Sequence, residues 1–187
     1  MYYLNYYILR ILRYMLNQIE HELSTIEFYK ILVKFIILYN YLMYKCQYFS
    51  IQELVSPVVY NKWGQQAWMF FDEDVLRELD LIRDNLGAPI IINNWHKGGS
   101  LKQCGLRSNL DEIPKTKTLK KNLYLSAHCM CKAFDLHNGF GNHRKLYDVI
   151  YDLIKKGKLK KFKRLENFNN TLVWVHVDCF QSDSIVF

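Results

Sequence analysis

The sequence predicts an α+β domain preceded by an apolar N-terminal segment. Two stretches, residues 72–87 and 142–157, combine helix end signals with the spacing of an amphipathic helix. Two others, residues 90–93 and 172–177, are short apolar runs of the kind that form strands. The chain has 187 residues, of which 50% are apolar and 23% charged. That is enough for one globular domain with a proper core and an appendage.

Net charge and cysteine content indicate the surroundings of the protein. The formal charge of +7 at pH 7 favours polyanionic partners, either nucleic acid or an anionic cell wall. Five cysteines, at irregular spacing, do not form a disulfide framework. Reduced thiols in a cytosolic setting are the simplest account of them.

Residues 1–45 form the apolar N-terminal segment. Helical spacing is shared by Ile8, Leu9, Ile11, Leu12, Met15, Leu16 and Ile19. The most apolar run, Ile31–Tyr44, has about 14 residues and contains Lys34, whereas a bilayer span needs about 20. No signal-peptide cleavage site follows it. Three interpretations stay open: a helical hairpin on the domain, a helix in contact with a membrane surface, or sequence ahead of a true start at Met43.

The first helix begins after Asp72, which is a suitable N-cap residue. One face of the helix carries Val75, Leu79, Ile82 and Leu86. Gly87 ends the helix and Pro89 prevents its continuation. Ile90–Asn93 then forms a short buried strand. We interpret this helix and strand as core scaffold.

Residues 94–125 are predicted to be a long irregular connection. The stretch contains Gly98, Gly99, Gly105 and Pro114, and it ends in the basic run Lys115–Lys121. Connections of this length inside a compact domain are usually functional or disordered.

The second helix runs from His143 to about Lys156, with Asn142 as its cap and Gly157 at its end. Its core stripe consists of Leu146, Val149, Ile150 and Leu153. Seven of the ten residues Lys155–Arg164 are basic. A solvated helix end is the preferred interpretation, and a patch that holds an anionic wall polymer is the alternative. Nucleic acid is disfavoured as a partner because no aromatic residues interleave the run in a base-stacking pattern.

Two motifs, Ser126–Asp135 and Trp174–Asp178, carry the candidate chemistry. His128 and Asp135 lie in the first motif and His176 in the second. Imidazole and carboxylate both suit Zn²⁺, and three protein ligands leave a fourth position for water. The sequence therefore predicts a catalytic rather than a structural zinc site.

The other histidines and the cysteines have alternative interpretations. We interpret the other histidines as ordinary structural residues: His21, His96, His137 and His143. Cys129, Cys131 and Cys179 could form a closed zinc site with His128 or His176. The one-residue spacer of Cys129-Met130-Cys131 is too tight for the common ligand pattern, so buried free thiols are favoured.

The motifs resemble those of a known family. The pattern S-x-H-x-x-G-x-A-x-D, followed by W-x-H, is similar to that of the M15 zinc peptidases, which act as D-Ala-D-Ala carboxypeptidases or L-Ala-D-Glu endopeptidases. The matching residues are Ser126, His128, Ala133, Asp135, Trp174 and His176. Cys131 stands where the family usually has glycine. Phage-encoded members also resemble the stretches Ile90–Trp95, Gly98–Gly99 and Gly105–Ser108, and the resemblance covers roughly residues 47–180.

The resemblance implies both fold and function. It implies the fold shared with the hedgehog signalling domain, in which helices pack on a small, mainly antiparallel sheet that holds the zinc. Residues 46–187 would then be a monomeric peptidase domain that hydrolyses peptide bonds in peptidoglycan stem peptides. A phage endolysin is such an enzyme. We expect it in the host cytoplasm before its release to the cell wall.

Arg107 matches an arginine that the family places ahead of its His…Asp motif. A guanidinium near the zinc can hold a peptide carboxylate or stabilise the oxyanion of the transition state. The alternative for an arginine in a loop is a solvated surface residue.

The general base is the position at which this sequence departs from the family. Many relatives carry Glu or Asp three residues before the third ligand, where this chain has Val173. On a strand Asp178 shares the face of His176, so it is the candidate base, and Glu166 is the runner-up. Asp178 could instead orient an imidazole.

Two rival functions remain open. The first is a catalytically inactive, zinc-bearing module that binds cell wall or belongs to a virion. Val173 is consistent with it, because many relatives carry a carboxylate at this position. The second is a nucleic-acid binder that uses the run Lys155–Arg164.

Overall fold

The computed structural model describes Lys30, Val33, Lys34 and residues 43–119, 123–181 and 184–187. The chain divides into two compact units, Met1–Met43 and Tyr44–Phe187. In the first unit the described residues 30, 33 and 34 are helical, and the helix expected over residues 8–19 lies outside the described residues. Within the described part of the chain, no helix is both long and apolar enough to cross a bilayer.

The second unit is an α+β fold with a small antiparallel sheet, as the sequence predicts. Its described helices are α1 Ile51–Leu54, α2 Pro57–Trp63, α3 Glu73–Leu86, α4 Glu112–Leu119 and α5 His143–Lys155. Its described strands are β1 Ile90–Ile91, β2 Ala133–Asn138, β3 Arg164–Leu165 and β4 Val175–Asp178. They form one sheet in the order β1-β2-β4-β3, and every neighbouring pair is antiparallel. Short 3₁₀ helices cover Gly64–Phe70, Trp95–Lys97, Ala127–Met130 and Phe168–Asn170.

Local signals set the ends of the two long helices. The Asp72 carboxylate accepts the Asp74 N–H (2.9 Å) at the start of α3, and Gly87 ends that helix in the left-handed conformation (φ 63°). The Asn142 side chain accepts the Lys145 N–H (2.9 Å) at the start of α5. Both helices are thus confirmed close to their predicted bounds, because their caps satisfy end groups that the helix cannot satisfy itself.

The two faces of the sheet have different roles. In the pairing of β2 with β4, Phe134 lies opposite Val177 and Leu136 opposite Val175, and all four are fully buried. This apolar face belongs to the core, against which α5 packs. Because side chains alternate along a strand, the residues between them project from the opposite face. That face carries the candidate site.

Both predicted strands differ from the structure in their bounds. β1 ends at Ile91, and the Asn93 backbone N–H donates to Glu53 O (3.1 Å) rather than to the sheet. The Asn93 side chain also binds outside the sheet, with Nδ2 donating to Val55 O (3.1 Å) and Oδ1 accepting the Cys104 N–H (2.9 Å). The strand expected over residues 172–177 begins only at Val175. A turn precedes it, in which the Trp174 N–H donates to Thr171 O (3.1 Å).

The connection of residues 94–125 is more regular than predicted. It contains the 3₁₀ helix Trp95–Lys97 and helix α4, which includes Pro114. Pro114 is the third residue of α4, and proline is tolerated in the first turn because no intrahelical acceptor exists there for a backbone N–H. The prediction of an irregular segment was therefore wrong over Glu112–Leu119.

The start of the second unit is fixed to α3 by a buried carboxylate. Asp80, 5% exposed, accepts the Tyr44 hydroxyl (2.6 Å) and the N–H groups of Gln47 (2.7 Å) and Tyr48 (3.2 Å). The Arg77 guanidinium lies over the Tyr44 ring at 3.9 Å. Tyr44 and Lys45, which the sequence analysis assigned to the N-terminal segment, thus belong to the second unit.

Candidate metal centre

Three side chains that the sequence singles out converge in the structure. His176 Nδ1 lies 2.7 Å from Asp135 Oδ1, and His128 Nε2 lies 3.3 Å and 3.4 Å from these two atoms. All three side chains are mostly buried: the exposed fraction is 3% for His128, 19% for Asp135 and 14% for His176. Together they form a group that can hold a metal ion, with all three ligand atoms within 4.8 Å of one another.

The sheet and one short helix position these ligands. Asp135 and His176 lie directly opposite each other on β2 and β4, on the face away from the core. His128 lies in the 3₁₀ helix Ala127–Met130, whose first turn is capped by the Ser126 hydroxyl accepting the His128 N–H (3.3 Å). Cys131 ends this helix with a φ of 60°, a conformation that favours glycine.

The His128 ring is oriented by a backbone carbonyl. Its Nδ1 lies 3.0 Å from Gly105 O, and since a carbonyl oxygen only accepts, Nδ1 carries the proton. Nε2 faces Asp135 and His176. A Cβ at position 105 would lie 2.0 Å from Leu54 O, so only glycine allows this close approach of the two backbone segments.

The His176 ring is oriented by Asp178. Its Nε2 lies 3.4 Å from Asp178 Oδ2, while its Nδ1 faces Asp135. Asp178 shares the face of His176, as the strand phase predicts. Its carboxylate is 1% exposed and is engaged on both oxygens: Arg164 donates to each (3.0 and 2.8 Å), and the Phe180 N–H donates to Oδ1 (2.8 Å). These contacts favour orientation of the imidazole over uptake of a proton from water.

The pKa values of Asp135 and His176 reflect the same contacts. Burial alone would raise the pKa of Asp135, but hydrogen bonds from His128 and His176 outweigh it and hold that pKa well below its ordinary value. Burial would lower the pKa of His176, but Asp135 and Asp178 raise it to about 9. The two carboxylates thus favour the protonated form of His176 when no metal ion is bound. A metal ion can take the place of its Nδ1 proton.

A pocket of about 600 Å³ adjoins the group. Its lining includes Asp135, Cys104, Arg107 and residues 98–103. Arg107 is only 7% exposed, so the solvated-loop alternative does not describe it. Its guanidinium donates to Gln103 O (3.0 Å), whereas its buried Nε has no partner within the described residues. A buried cation with a spare donor beside a pocket suits an anionic ligand group.

Glu166 directly follows β3 and lies beside His176. Its N–H donates to His176 O (3.1 Å), which extends the pairing of β3 with β4 by one residue. Directly paired residues project from the same face, so Glu166 lies on the same face as His176 and Asp135. Glu166 is half-buried, and its carboxylate has no hydrogen bond or ion pair among the described residues.

Two contributors to the site have no signal in the sequence. Gly105 was named as a loop glycine and in the family-like stretch Gly105–Ser108 without a role of its own, and Arg164 only as the last residue of a basic run. Their roles depend on which backbone segment approaches Leu54 and on the register of β3 with β4, and neither can be read from spacing along the chain.

The cysteines are not part of this group. All five are free thiols, and the metal-binding group of the described residues contains none of them. Burial raises the pKa of Cys131 and raises that of Cys179 to about 12, which keeps both protonated. The closed Cys/His zinc site is therefore not formed in the described part of the chain.

The basic run Lys155–Arg164 is partly turned inward. Lys161 lies 2.6 Å from an Asp72 carboxylate oxygen, and Arg164 is committed to Asp178. Lys158 and Lys160 are exposed. The run is thus a mixture of structural cations and solvated ones.

Comparisons of the chain with models of protein families, with curated proteins and with solved structures find no match.

Proposed function

We propose that this chain is a zinc-dependent peptidase that hydrolyses peptide bonds in peptidoglycan stem peptides. The observation that carries the proposal is the convergence of His128, Asp135 and His176 beside a pocket that contains a buried arginine. The resemblance of the two motifs to those of M15 peptidases supports the choice of substrate.

The donor set suits zinc. Two imidazoles and one carboxylate are ordinary zinc ligands, and a three-residue set leaves a position open for substrate or water. The far nitrogen of each ring is already held, by Gly105 O for His128 and by Asp178 for His176. Such contacts fix the tautomer and orientation of a ligand. When bound in a site of this kind, zinc supplies Lewis-acid chemistry and activates water near neutral pH.

Arg107 binds the substrate in this proposal. Its unpartnered Nε–H is available to a peptide carboxylate, or to the negative charge that develops on the carbonyl oxygen as it is attacked. The adjoining pocket, at about 600 Å³, has the size of sites that hold small ligands, and a short peptide fits that range.

Glu166 is the proposed proton carrier. A carboxylate must take a proton from the attacking water and pass it to the leaving amine. Asp178 is engaged by Arg164 and His176, whereas Glu166 lies on the face of Asp135 and His176 without a partner in the described residues. This assignment replaces the family's carboxylate at the position of Val173.

The setting of the proposed activity follows from the substrate. The enzyme would act as a monomer, accumulate in the host cytoplasm and reach the wall on its release, as an endolysin does. Exposed lysines of the run Lys155–Arg164 could add contact with anionic wall polymer.

A chelator experiment tests the proposal. Purified protein is incubated with muropeptides in three states: as isolated, after removal of metal, and after zinc is restored. We expect hydrolysis in the first and third states only, and none from His128→Ala in any state. Hydrolysis that persists after metal removal would contradict the proposal.

A second candidate function is a zinc-bearing wall-binding module without catalysis. Val173 favours it, because this side chain is 57% exposed and carries no carboxylate where many relatives have one. Sedimentation with purified cell wall, together with no product from any muropeptide, would support this candidate over the peptidase.

A further inference from the structure

Arg164 on the edge strand β3 and Asp178 on its neighbour β4 form a pair on the site face. They lie opposite each other in the register of β3 with β4. The guanidinium contacts the carboxylate as a fork, with Nε 3.0 Å from Oδ1 and a terminal nitrogen 2.8 Å from Oδ2. Two parallel charge-assisted hydrogen bonds fix the plane of the carboxylate as well as its position.

Aromatic rings hold the guanidinium itself. It lies 4.1 Å from the centre of the Phe187 ring and 5.5 Å from that of Phe180. The Phe187 ring also lies 6.1 Å from the His176 ring in an edge arrangement. Arg164 is thus held by two aromatic rings and by a two-point contact with a carboxylate, and a lysine ammonium cannot reproduce the planar fork.

One carboxylate oxygen connects this pair to a metal ligand. Asp178 Oδ2 accepts from Arg164 and lies 3.4 Å from His176 Nε2, close enough for its charge to attract the N–H of that ring. The opposite nitrogen of the same ring, Nδ1, faces Asp135 and His128.

We propose that Arg164 is a positioning residue: it holds Asp178 in the orientation that turns His176 Nδ1 toward the metal ion. The inference rests on the metal site of the proposed function and is independent of its substrate. Groups that hold a ligating imidazole from its far side typically contribute about 10–100-fold to metal affinity.

A general charge effect predicts the opposite change in zinc affinity when Arg164 is removed, which makes the inference testable. Arg164 is a cation near a site for a cation, so by Coulomb's law alone its removal would strengthen zinc binding. A positioning role predicts that its removal weakens zinc binding, because the imidazole loses its fixed orientation.

The test measures zinc affinity by competition with a chromophoric chelator. The proteins are the full chain and its Arg164→Gln, Arg164→Lys, Asp178→Asn and doubly substituted Arg164→Gln/Asp178→Asn variants. Lys158→Gln is the matched control, since it removes the same charge from an exposed position of the same run. Melting temperatures of the metal-free proteins are recorded alongside, because a buried Asp178 without its cation destabilises the fold in either account.

We expect Arg164→Gln to weaken zinc binding at least about 10-fold. Arg164→Lys, which keeps the charge but loses the fork, should weaken it less. The double variant should bind zinc no more weakly than Asp178→Asn, because both changes break one connection. The control should match the wild type. If Arg164→Gln does not fold, the zinc affinity of Arg164→Lys tests the same inference.

Unchanged or tighter zinc binding in the Arg164 variants, with only a lower melting temperature, would overturn the inference and leave the metal site intact. Additive losses in the double variant would also overturn it, because Arg164 would then act by another route than Asp178. A wild type that binds no zinc would refute the metal site and this inference together. A wild type that binds zinc but cleaves no muropeptide would refute only the peptidase activity.

Discussion

At the residue scale, a proton on His176 competes with the metal ion for the same nitrogen. The pKa of this imidazole is raised to about 9 in the metal-free site by Asp135 and Asp178, so at neutral pH its Nδ1 is protonated. Zinc binding must release that proton.

We therefore expect the apparent zinc affinity to rise with pH and to level off above about 9. For one displaced proton the slope is about tenfold per pH unit. Chelator competition at a series of pH values measures it. A pH-independent affinity between pH 6 and about 9 would show that His176 Nδ1 is not a ligand.

Glu166 and Asp178 differ in their contacts, so replacing each by its amide should impair a different property, either turnover or zinc binding. Glu166→Gln should leave zinc affinity nearly unchanged and lower kcat by about 100-fold or more, the scale of positioned proton transfer. Asp178→Asn should weaken zinc binding by about 10–100-fold, with turnover recovering at saturating zinc.

Muropeptide kinetics at several zinc concentrations separate the two variants. If Asp178→Asn lost turnover at every zinc concentration and Glu166→Gln lost none, Asp178 would be the base after all. Glu166 would then have no role in proton transfer.

At the element scale, the 3₁₀ helix that carries His128 ends in an unfavourable residue. Cys131 adopts a φ of 60° where the resembled family has glycine. The left-handed region costs an ordinary residue about 1–2 kcal/mol, and a β-branched side chain suffers most. Cys131 is also packed against the core, so its replacement by glycine loses some burial.

We predict that Cys131→Gly changes the free energy of unfolding by less than about 1 kcal/mol, because relief of strain offsets lost packing. Cys131→Val should destabilise the protein by about 1–2 kcal/mol or more. Denaturant titration of both variants measures the difference. Equal stability of the two would mean that position 131 tolerates any side chain.

Elements that are defined by interactions between residues close in sequence could be predicted, whereas the bounds of elements that depend on distant residues could not. Helices α3 and α5 are set by caps and stripes within about four residues, which the sequence displays directly. The bounds of β4 depend on a turn at Thr171 and on pairing with β2, and the run Leu172–Val177 shows only its apolar character.

The site followed the same rule. His128, Asp135 and His176 were predicted because their residue types suit a metal ion and because the two motifs that contain them resemble those of a zinc-peptidase family. The fork of Arg164 on Asp178 and the carbonyl of Gly105 on His128 depend on long-range register, which no local pattern records.

At the scale of the whole molecule, the second unit contains all the residues of the candidate site and begins at Tyr44. A chain that starts at Met43 should therefore fold and keep the zinc affinity of the full chain. A chain that starts at Ser50 should be less stable by at least about 2 kcal/mol, because Asp80 loses partners at Tyr44, Gln47 and Tyr48 and stays buried.

Denaturant unfolding and zinc titration of both shortened chains check this. If the chain from Met43 aggregated or lost zinc, residues 1–42 would have to be part of the folded domain. If the chain from Ser50 matched the full chain, the contacts of Asp80 would contribute nothing to stability.

The metal centre is tested most directly by the metal stoichiometry of the wild type and of the ligand variants. Elemental analysis after dialysis should find about one zinc per chain in the wild type. His128→Ala, Asp135→Ala and His176→Ala should each bind far less, whereas His143→Ala, a histidine outside the group, should match the wild type. An unchanged zinc content in any of the three ligand variants would contradict the central claim that these side chains form the metal centre.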